Sequence, residues 1–244
     1  MMRIAIDFLV EGPIPLDYRL KGGYSLIKEA IRLSEPGYYD RLFSQERYEI
    51  KPFSFAVFFK NFELKNDQIF AKQLSITISS PSIEFSVNAL NGIRKLKTHK
   101  VENSVWRQIS VRLLKEAIIS SNKVVLSTLS PILIENKQGK PLAPHDEQYE
   151  QELNYFANLL MQRVAGRPLM RPVQFTPIRM EKVVVKESNR EFDSANPDQY
   201  LFFTTYKGMF RLEGHREDLQ YLYQTGIGKR TVYFGLTELV REEV

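Results

Sequence analysis

Residues 221–240, YLYQTGIGKRTVYFGLTELV, place a glycine-rich stretch between two apolar runs. The residues of this stretch that could bind an anion are three glycines and two cations: Gly226, Gly228, Lys229, Arg230 and Gly235. The pattern predicts a helix end, a glycine loop and a strand over residues 231–240. Glycines permit positive φ, and successive free N–H groups beside cations form a concavity that binds anions. A phosphate backbone fits such a loop; a helix C-cap at Gly226 followed by a turn at Gly228 is the purely structural alternative.

The same stretch argues against a bound nucleotide cofactor. Gly226-Ile227-Gly228 lacks the third glycine and the acidic partner of a dinucleotide fingerprint, and a strand follows it where that motif has a helix. The Walker pattern of phosphate-binding loops is also absent from the chain. We therefore expect no cofactor.

The composition favours two small domains. A chain of 244 residues with 43% apolar residues holds one large core or two of roughly 120 residues each, and we predict domains 1–120 and 121–244. The absence of cysteine excludes disulfides and thiolate metal sites. No segment resembles a signal peptide, and none approaches the ~18 apolar residues that a membrane span needs. We expect a cytoplasmic protein that does not bind membranes.

The charge permits nucleic-acid binding without requiring it. The net charge is +5 and the isoelectric point is near 9.2. Basic residues crowd one segment: Arg94, Lys95, Lys97, His99 and Lys100. A solvated helix or loop surface is the commoner meaning of such a run.

The order of predicted elements is the same in both halves of the chain. The first half gives a strand at 2–10, a helix at 20–33, a hairpin of strands 52–64 and 69–79 around Asn66-Asp67, a helix opening at Ser80-Pro81, and a strand at 104–114. The second half gives a strand at 123–134, a helix at 145–164, strands at 173–186 and 199–212, a helix at 214–225 and the final strand. Each half is β-α-β-β-α-β, so we predict an α+β fold of two tandem ferredoxin-like (RRM-like) domains.

Four segments resemble one known family. They are RIAIDFLVEGPIPLDYR at 3–19, IKPFSFAVF at 50–58, TLSPILIEN at 128–136 and GMFRLEGHREDLQYLYQTGIGKRTVYFGL at 208–236. The chain resembles the CRISPR-associated endoribonucleases of the RAMP superfamily, which cut precursor CRISPR RNA within each repeat. The resemblance implies tandem ferredoxin-like domains and a glycine loop beside bound RNA. The chain departs from the family's loop at Tyr233-Phe234-Gly235, where one glycine is missing.

The resemblance also implies a reaction and its partners. Family members cleave without metal: the RNA 2′-hydroxyl attacks the adjacent phosphate and leaves 2′,3′-cyclic phosphate and 5′-hydroxyl ends. Repeat RNA is the expected partner, and other CRISPR effector subunits or a second copy of the chain are further candidates. The glycines and cations of the loop, Gly226, Gly228, Lys229, Arg230 and Gly235, become the expected RNA-binding residues. A small-molecule-binding protein of the same fold is the remaining alternative.

The family's catalytic histidine, tyrosine and lysine are only partly present. Tyr24 and Lys51 fall where the tyrosine and lysine are expected, but the residues between the first helix and Lys51 contain no histidine. Three explanations stay open. Tyr38 or Tyr39 transfers the proton, although a phenol with a pKa of ~10 is a poor base at neutral pH; the lysine and tyrosine support slow cleavage; or the protein binds repeat RNA without cutting it.

The three histidines and the carboxylates do not suggest a metal site. His99 is expected in a loop, and His145 and His215 are expected at helix starts, so each is predicted to be a surface or helix-start residue. No pair has the spacing of metal ligands, and no carboxylate cluster suggests two-metal chemistry. We therefore expect metal-independent cleavage.

Overall fold

The computed structural model describes residues 2–43, 50–187 and 201–240. Within these ranges, the first half of the chain contains eight strands and three helices. The strands are β1 Met2–Glu11, β2 Ile14–Pro15, β3 Ser54–Lys60, β4 Glu63–Lys65, β5 Gln68–Phe70, β6 Gln73–Ser80, β7 Thr98–Val101 and β8 Ser104–Leu114. The helices are α1 Ser25–Ser34, which follows a π-helical turn at Arg19–Tyr24, α2 Pro36–Phe43 and α3 Ile83–Lys95. The second half contains β9 Lys123–Thr128, α4 Tyr149–Val164, β10 Gln174–Glu187, β11 Leu201–Glu213, α5 Arg216–Thr225 and β12 Thr237–Leu239.

Both main sheets have the ferredoxin-like strand order. The first is β3-β6-β1-β8-β7 and the second is β10-β11-β9-β12, with antiparallel neighbours throughout. When the four strands of each βαββαβ unit are numbered in chain order, both sheets run 2-3-1-4. The α+β class and the tandem ferredoxin-like plan are therefore confirmed. The boundary between domains 1–120 and 121–244 stays a prediction.

The first unit carries additions that the sequence pattern did not predict. The tyrosine-rich segment after the first helix forms α2, with Pro36 at its first position, where a missing N–H costs nothing. The predicted hairpin is interrupted, so that β4 and β5 leave the main sheet and join β2 in a small three-stranded sheet. Asn66-Asp67 is confirmed as a turn, and both residues have positive φ.

Helix α3 starts two residues later than the Ser80-Pro81 pattern predicts. Ser82, not Ser80, caps the helix by accepting a hydrogen bond from the Phe85 amide. Phe85, Ala89 and Ile93 are buried against α1 and the sheet, whereas the apolar stripe that begins at Ile83 faces solvent. Gly92 explains the choice of face, because a Cβ at this position would lie 1.7 Å from the Ala30 carbonyl oxygen on α1.

The described residues form two large hydrophobic cores and one small cluster of Leu133, Val185 and Phe234, and the last connection of the chain joins the two large cores. One core collects residues from Ile4 to Trp106 and the other collects residues from Ile119 to Ile227. Tyr233, from the segment after α5, packs against the first core. The final strand is shorter than predicted, because only Thr237–Leu239 pair with β9 and residues 226–236 form an irregular loop. Within the described ranges, no helix is both long and apolar enough to cross a membrane.

Candidate nucleic-acid interface

The glycine loop after α5 owes its shape to close contacts between backbone segments. Gly226, Gly228 and Gly235 have φ of +90°, +101° and +74°. A Cβ on Gly235 would lie 1.9 Å from the Ile227 carbonyl oxygen, and one on Gly228 would lie 2.6 Å from that of Leu133. Both distances are shorter than any tolerable contact, so the glycines are required for the loop to fold back on itself and on the segment after β9.

Most amides of the loop form hydrogen bonds inside the protein. The amide of Ile227 donates to Gly235 at 3.0 Å, that of Gly235 donates to Pro131 at 2.8 Å, and that of Lys229 donates to Leu133 at 2.8 Å. The three glycines are buried. The loop therefore uses these N–H groups for its own fold, and its positive charge reaches solvent through side chains.

The two cations of the loop differ in their surroundings. Lys229 is half-buried, forms an ion pair with Glu135 and lies 5.9 Å from the centre of the Phe156 ring. Arg230 is exposed, has a positive φ of 56° and holds its guanidinium 4.8 Å from the centre of the Phe203 ring. Of the two, Arg230 is the more accessible to solvent. The RNA-binding roles of both residues stay predictions.

The far side of the loop docks on the N-terminal unit at the candidate catalytic tyrosine. The Tyr233 ring lies 5.2 Å from that of Tyr24 and 6.2 Å from that of Phe55, measured between ring centres. The amide of Phe55 donates to the Val232 carbonyl at 3.3 Å. Residues that the sequence assigned to RNA binding and to catalysis are thus joined through one aromatic side chain.

Burial makes two of the candidate phenols weaker acids. Tyr24 is half-buried at the end of the π-helical turn, and burial, with a smaller contribution from Tyr39, raises its pKa to about 12. Tyr38 is part of the first core, and burial together with Glu84 raises its pKa to about 12 as well. Tyr24 and Tyr38 therefore keep their protons at neutral pH and are placed to donate hydrogen bonds rather than to accept protons.

Lys28 is a cation of this cluster that the sequence pattern did not single out. Its ammonium lies 5.7, 5.8 and 5.5 Å from the ring centres of Tyr24, Tyr39 and Phe43. The i,i+4 spacing from Tyr24 on a predicted helix was the signal that would have found it. Lys51 is buried, and the preceding residues 44–49 lie outside the described part of the chain. Its catalytic role stays a prediction.

The prediction that His99 lies in a surface loop was wrong. His99 is buried on β7, with Nε2 2.9 Å from the Ser25 hydroxyl and Nδ1 2.7 Å from the Glu29 carboxylate. Burial lowers its pKa, and the Glu29 carboxylate opposes that change. The side chain thereby fixes the first turn of α1, next to Tyr24. The alternation in Thr98–Val101 would have revealed the strand, but the surrounding lysines obscured it.

The other two histidines belong to the second half of the chain. His145 is exposed in a turn before α4, and His215 is half-buried directly before α5. Among the described residues, no group of three or more His, Cys, Asp or Glu side chains is arranged to hold a metal ion. Metal independence stays a prediction.

Comparison with known proteins supplies the family. The model for the C-terminal region of the CRISPR-associated protein Cas6 matches residues 114–239, just over half of the chain. No curated protein matches. Three solved structures share the fold. One, described as a Cas6-related gene from Pyrococcus furiosus, has 24% sequence identity and a TM-score of 0.81, and the match covers 99% of each chain. A RAMP protein described as binding different RNA substrates has 20% identity and a TM-score of 0.79, over 99% of this chain and 100% of its own, and a CRISPR-associated protein Cas6 has 19% identity and a TM-score of 0.73, over 98% of this chain and 99% of its own. The chain belongs to the Cas6 family of CRISPR-associated proteins.

Proposed function

We propose that the protein binds CRISPR repeat RNA and cleaves precursor CRISPR RNA within the repeat, without metal. Membership of the Cas6 family supports repeat-RNA binding and processing. Two structural relatives are described as a RAMP protein binding different RNA substrates and as a Cas6 product complex. Cleavage and its mechanism are the finer parts of the proposal and rest on the candidate site.

The contact between Tyr24 and Tyr233 carries the proposal. Tyr24 precedes α1, and Tyr233 lies in the glycine loop that exposes Arg230, so the 5.2 Å between the two rings brings both parts of the site together. An RNA strand whose phosphate contacts Arg230 runs past the N-terminal aromatic cluster. A ligand that bound only the glycine loop, or only the N-terminal aromatic cluster, would not require the contact between Tyr24 and Tyr233.

The reaction assigned to the site is attack by the 2′-hydroxyl of RNA. The 2′-oxygen loses its proton and bonds to phosphorus, the bond from phosphorus to the 5′-oxygen breaks, and the 5′-oxygen takes up a proton. Because Tyr24 keeps its proton at neutral pH, its role is to donate a hydrogen bond to a phosphoryl or leaving oxygen. Lys28 and Lys51 supply positive charge for the developing negative charge.

The test uses labelled repeat RNA in excess EDTA. We expect one cut per repeat and a 2′,3′-cyclic phosphate end, which reacts with a phosphatase only after acid opening. RNA with a single 2′-deoxynucleotide at the cut site should bind equally well and stay intact. Cleavage of that RNA, or cleavage only after added Mg²⁺, would contradict the mechanism.

A second candidate function is RNA binding without cleavage, including service as a structural subunit of a CRISPR ribonucleoprotein. It is favoured by the raised pKa values of Tyr24 and Tyr38 and by the absence of histidine between α1 and Lys51. Its signature is a stable complex with intact repeat RNA, in which the RNA survives prolonged incubation. Copurification with other CRISPR subunits, and no cutting by the isolated protein, would identify the structural role.

A further inference from the structure

The small sheet of the N-terminal unit ends in an exposed edge strand. Among the described residues its order is β2-β5-β4, so no described strand pairs with the outer side of β4. All three residues of β4, Glu63, Leu64 and Lys65, are exposed. An edge strand offers unpaired N–H and C=O groups to another strand, and proteins usually prevent such pairing with charges or bulges.

An apolar row crosses this sheet and stops at the edge. Ile14 pairs with Ile69, and Ile69 pairs with Leu64, so the three side chains lie on the same face. Their exposed fractions are 0%, 5% and 61%. The row is buried at its inner end and open at β4, where an added strand with an apolar central residue would continue it.

The backbone of Leu64 faces the open side. Lys65 and Gln68 flank the two-residue turn Asn66-Asp67, whose positive φ values, 49° and 55°, are those of a type I′ hairpin. The residues that flank such a turn direct their N–H and C=O groups towards each other, and the direction alternates along a strand. Leu64 therefore directs both groups outward, where a second strand can exchange two hydrogen bonds with it.

The charges on β4 indicate which strand would pair with it. Glu63 and Lys65 lie on either side of Leu64 and form an ion pair with each other on the same face of the strand. When a strand of sequence Glu-Leu-Lys pairs antiparallel with its own copy around the leucine, each glutamate lies opposite a lysine. The strand is thus complementary to itself in charge, in apolar contact and in hydrogen bonding.

We propose that β4 pairs antiparallel with β4 of a second copy of the chain, about a two-fold axis at Leu64. The two small sheets then form one six-stranded sheet, and the two Leu64 side chains cover each other. Glu63 of each copy pairs with Lys65 of the other. Phe62 directly precedes β4 and Phe70 pairs with Glu63, so the exposed rings of these two residues add apolar area beside the joint.

The test measures the mass of the full-length protein by sedimentation over a concentration series. Wild type should pass from monomer to dimer. Glu63→Lys and Lys65→Glu each put like charges opposite one another twice, and each should weaken the dimer by on the order of tenfold or more. The matched control is Glu181→Lys, which makes the same charge change on exposed β10 and should leave the dimer unchanged.

Charge exchange separates this interface from any other. An equimolar mixture of Glu63→Lys and Lys65→Glu chains should form heterodimers, because opposite charges again face each other at both positions. The double variant Glu63→Lys/Lys65→Glu should regain the wild-type dimer. A wild-type chain that stays monomeric overturns the proposal, and so does a dimer that the single variants leave intact or that the double variant fails to restore.

Discussion

Gly235→Ala tests whether the loop glycines act through backbone packing. Gly235 has a φ of +74°, and its added Cβ would lie 1.9 Å from the Ile227 carbonyl oxygen, 2.7 Å from the Ile227 amide nitrogen and 2.8 Å from the Ile227 carbonyl carbon. These neighbours are backbone atoms, which cannot turn aside as a side chain does. The left-handed conformation costs an alanine roughly 1–2 kcal/mol. Displacing the packed backbone adds about 1–3 kcal/mol.

Gly139→Ala is the matched control. Gly139 has a φ of +77°, almost that of Gly235, but an added Cβ meets no atom within 4 Å. It shares the conformational cost and lacks the clash. We therefore expect the free energy of unfolding in urea to fall by roughly 1–2 kcal/mol for Gly139→Ala and by about 2–5 kcal/mol for Gly235→Ala.

The RNA affinity should separate the two variants further. The loop positions Arg230 and Tyr233, so Gly235→Ala should weaken repeat-RNA binding at protein concentrations and temperatures where the variant is still folded, as verified by circular dichroism. Gly139→Ala should bind like wild type. If the two alanines lowered stability equally and left affinity unchanged, the close contact of Gly235 with Ile227 would not shape the interface.

Three further results are expected. Arg230→Ala should weaken RNA binding and reduce the slope of log affinity against log salt by about 0.7. Lys207→Ala, which removes a cation paired with Glu181, should change neither the affinity nor the slope. Equal slopes for Arg230→Ala and wild type would contradict a phosphate contact at Arg230. Burial raises the pKa of Glu187 to about 7, although Arg19 opposes the change, so between pH 4.5 and 7 the folded state holds a proton that the unfolded state has lost. The free energy of unfolding of wild type should therefore fall by on the order of 2 kcal/mol over this pH range, relative to that of Glu187→Gln. Identical pH profiles for the two proteins would refute this. Gly92→Ala should lower the melting temperature by more than Gly139→Ala, because its Cβ would lie 1.7 Å from the Ala30 oxygen, and an equal shift would show that α1 and α3 separate easily.

The order of the six elements of each βαββαβ unit followed from the sequence, because each of these strands and helices has its own hydrophobic period. The face that each helix buries could not be predicted in the same way. On α3, both the stripe from Ile83 and the stripe from Phe85 have helical spacing, and both are apolar. The choice between them depends on Gly92 approaching Ala30 across 62 positions of sequence, which no local pattern contains.

The candidate site shows the same division between local and long-range information. Positive φ at Gly226, Gly228 and Gly235 was predictable from residue type, because glycine adopts it without strain. The use of the loop amides was not, since their acceptors include Pro131 and Leu133, about 100 positions earlier. The anchoring of α1 by His99 likewise required the fold, because Ser25 and Glu29 are distant in sequence.

Single-turnover cleavage of repeat RNA by Tyr24→Phe tests whether the active site lies where Tyr24 meets the glycine loop. This variant removes only the hydroxyl, and the ring contacts with Tyr233 and Phe53 can persist. Tyr155→Phe, on an exposed residue of α4, is the control. We expect wild type and the control to cut the RNA in EDTA, and Tyr24→Phe to bind it with unchanged affinity and cut at least tenfold more slowly. Cutting by Tyr24→Phe at the wild-type rate would contradict the placement of the active site where Tyr24 meets the glycine loop.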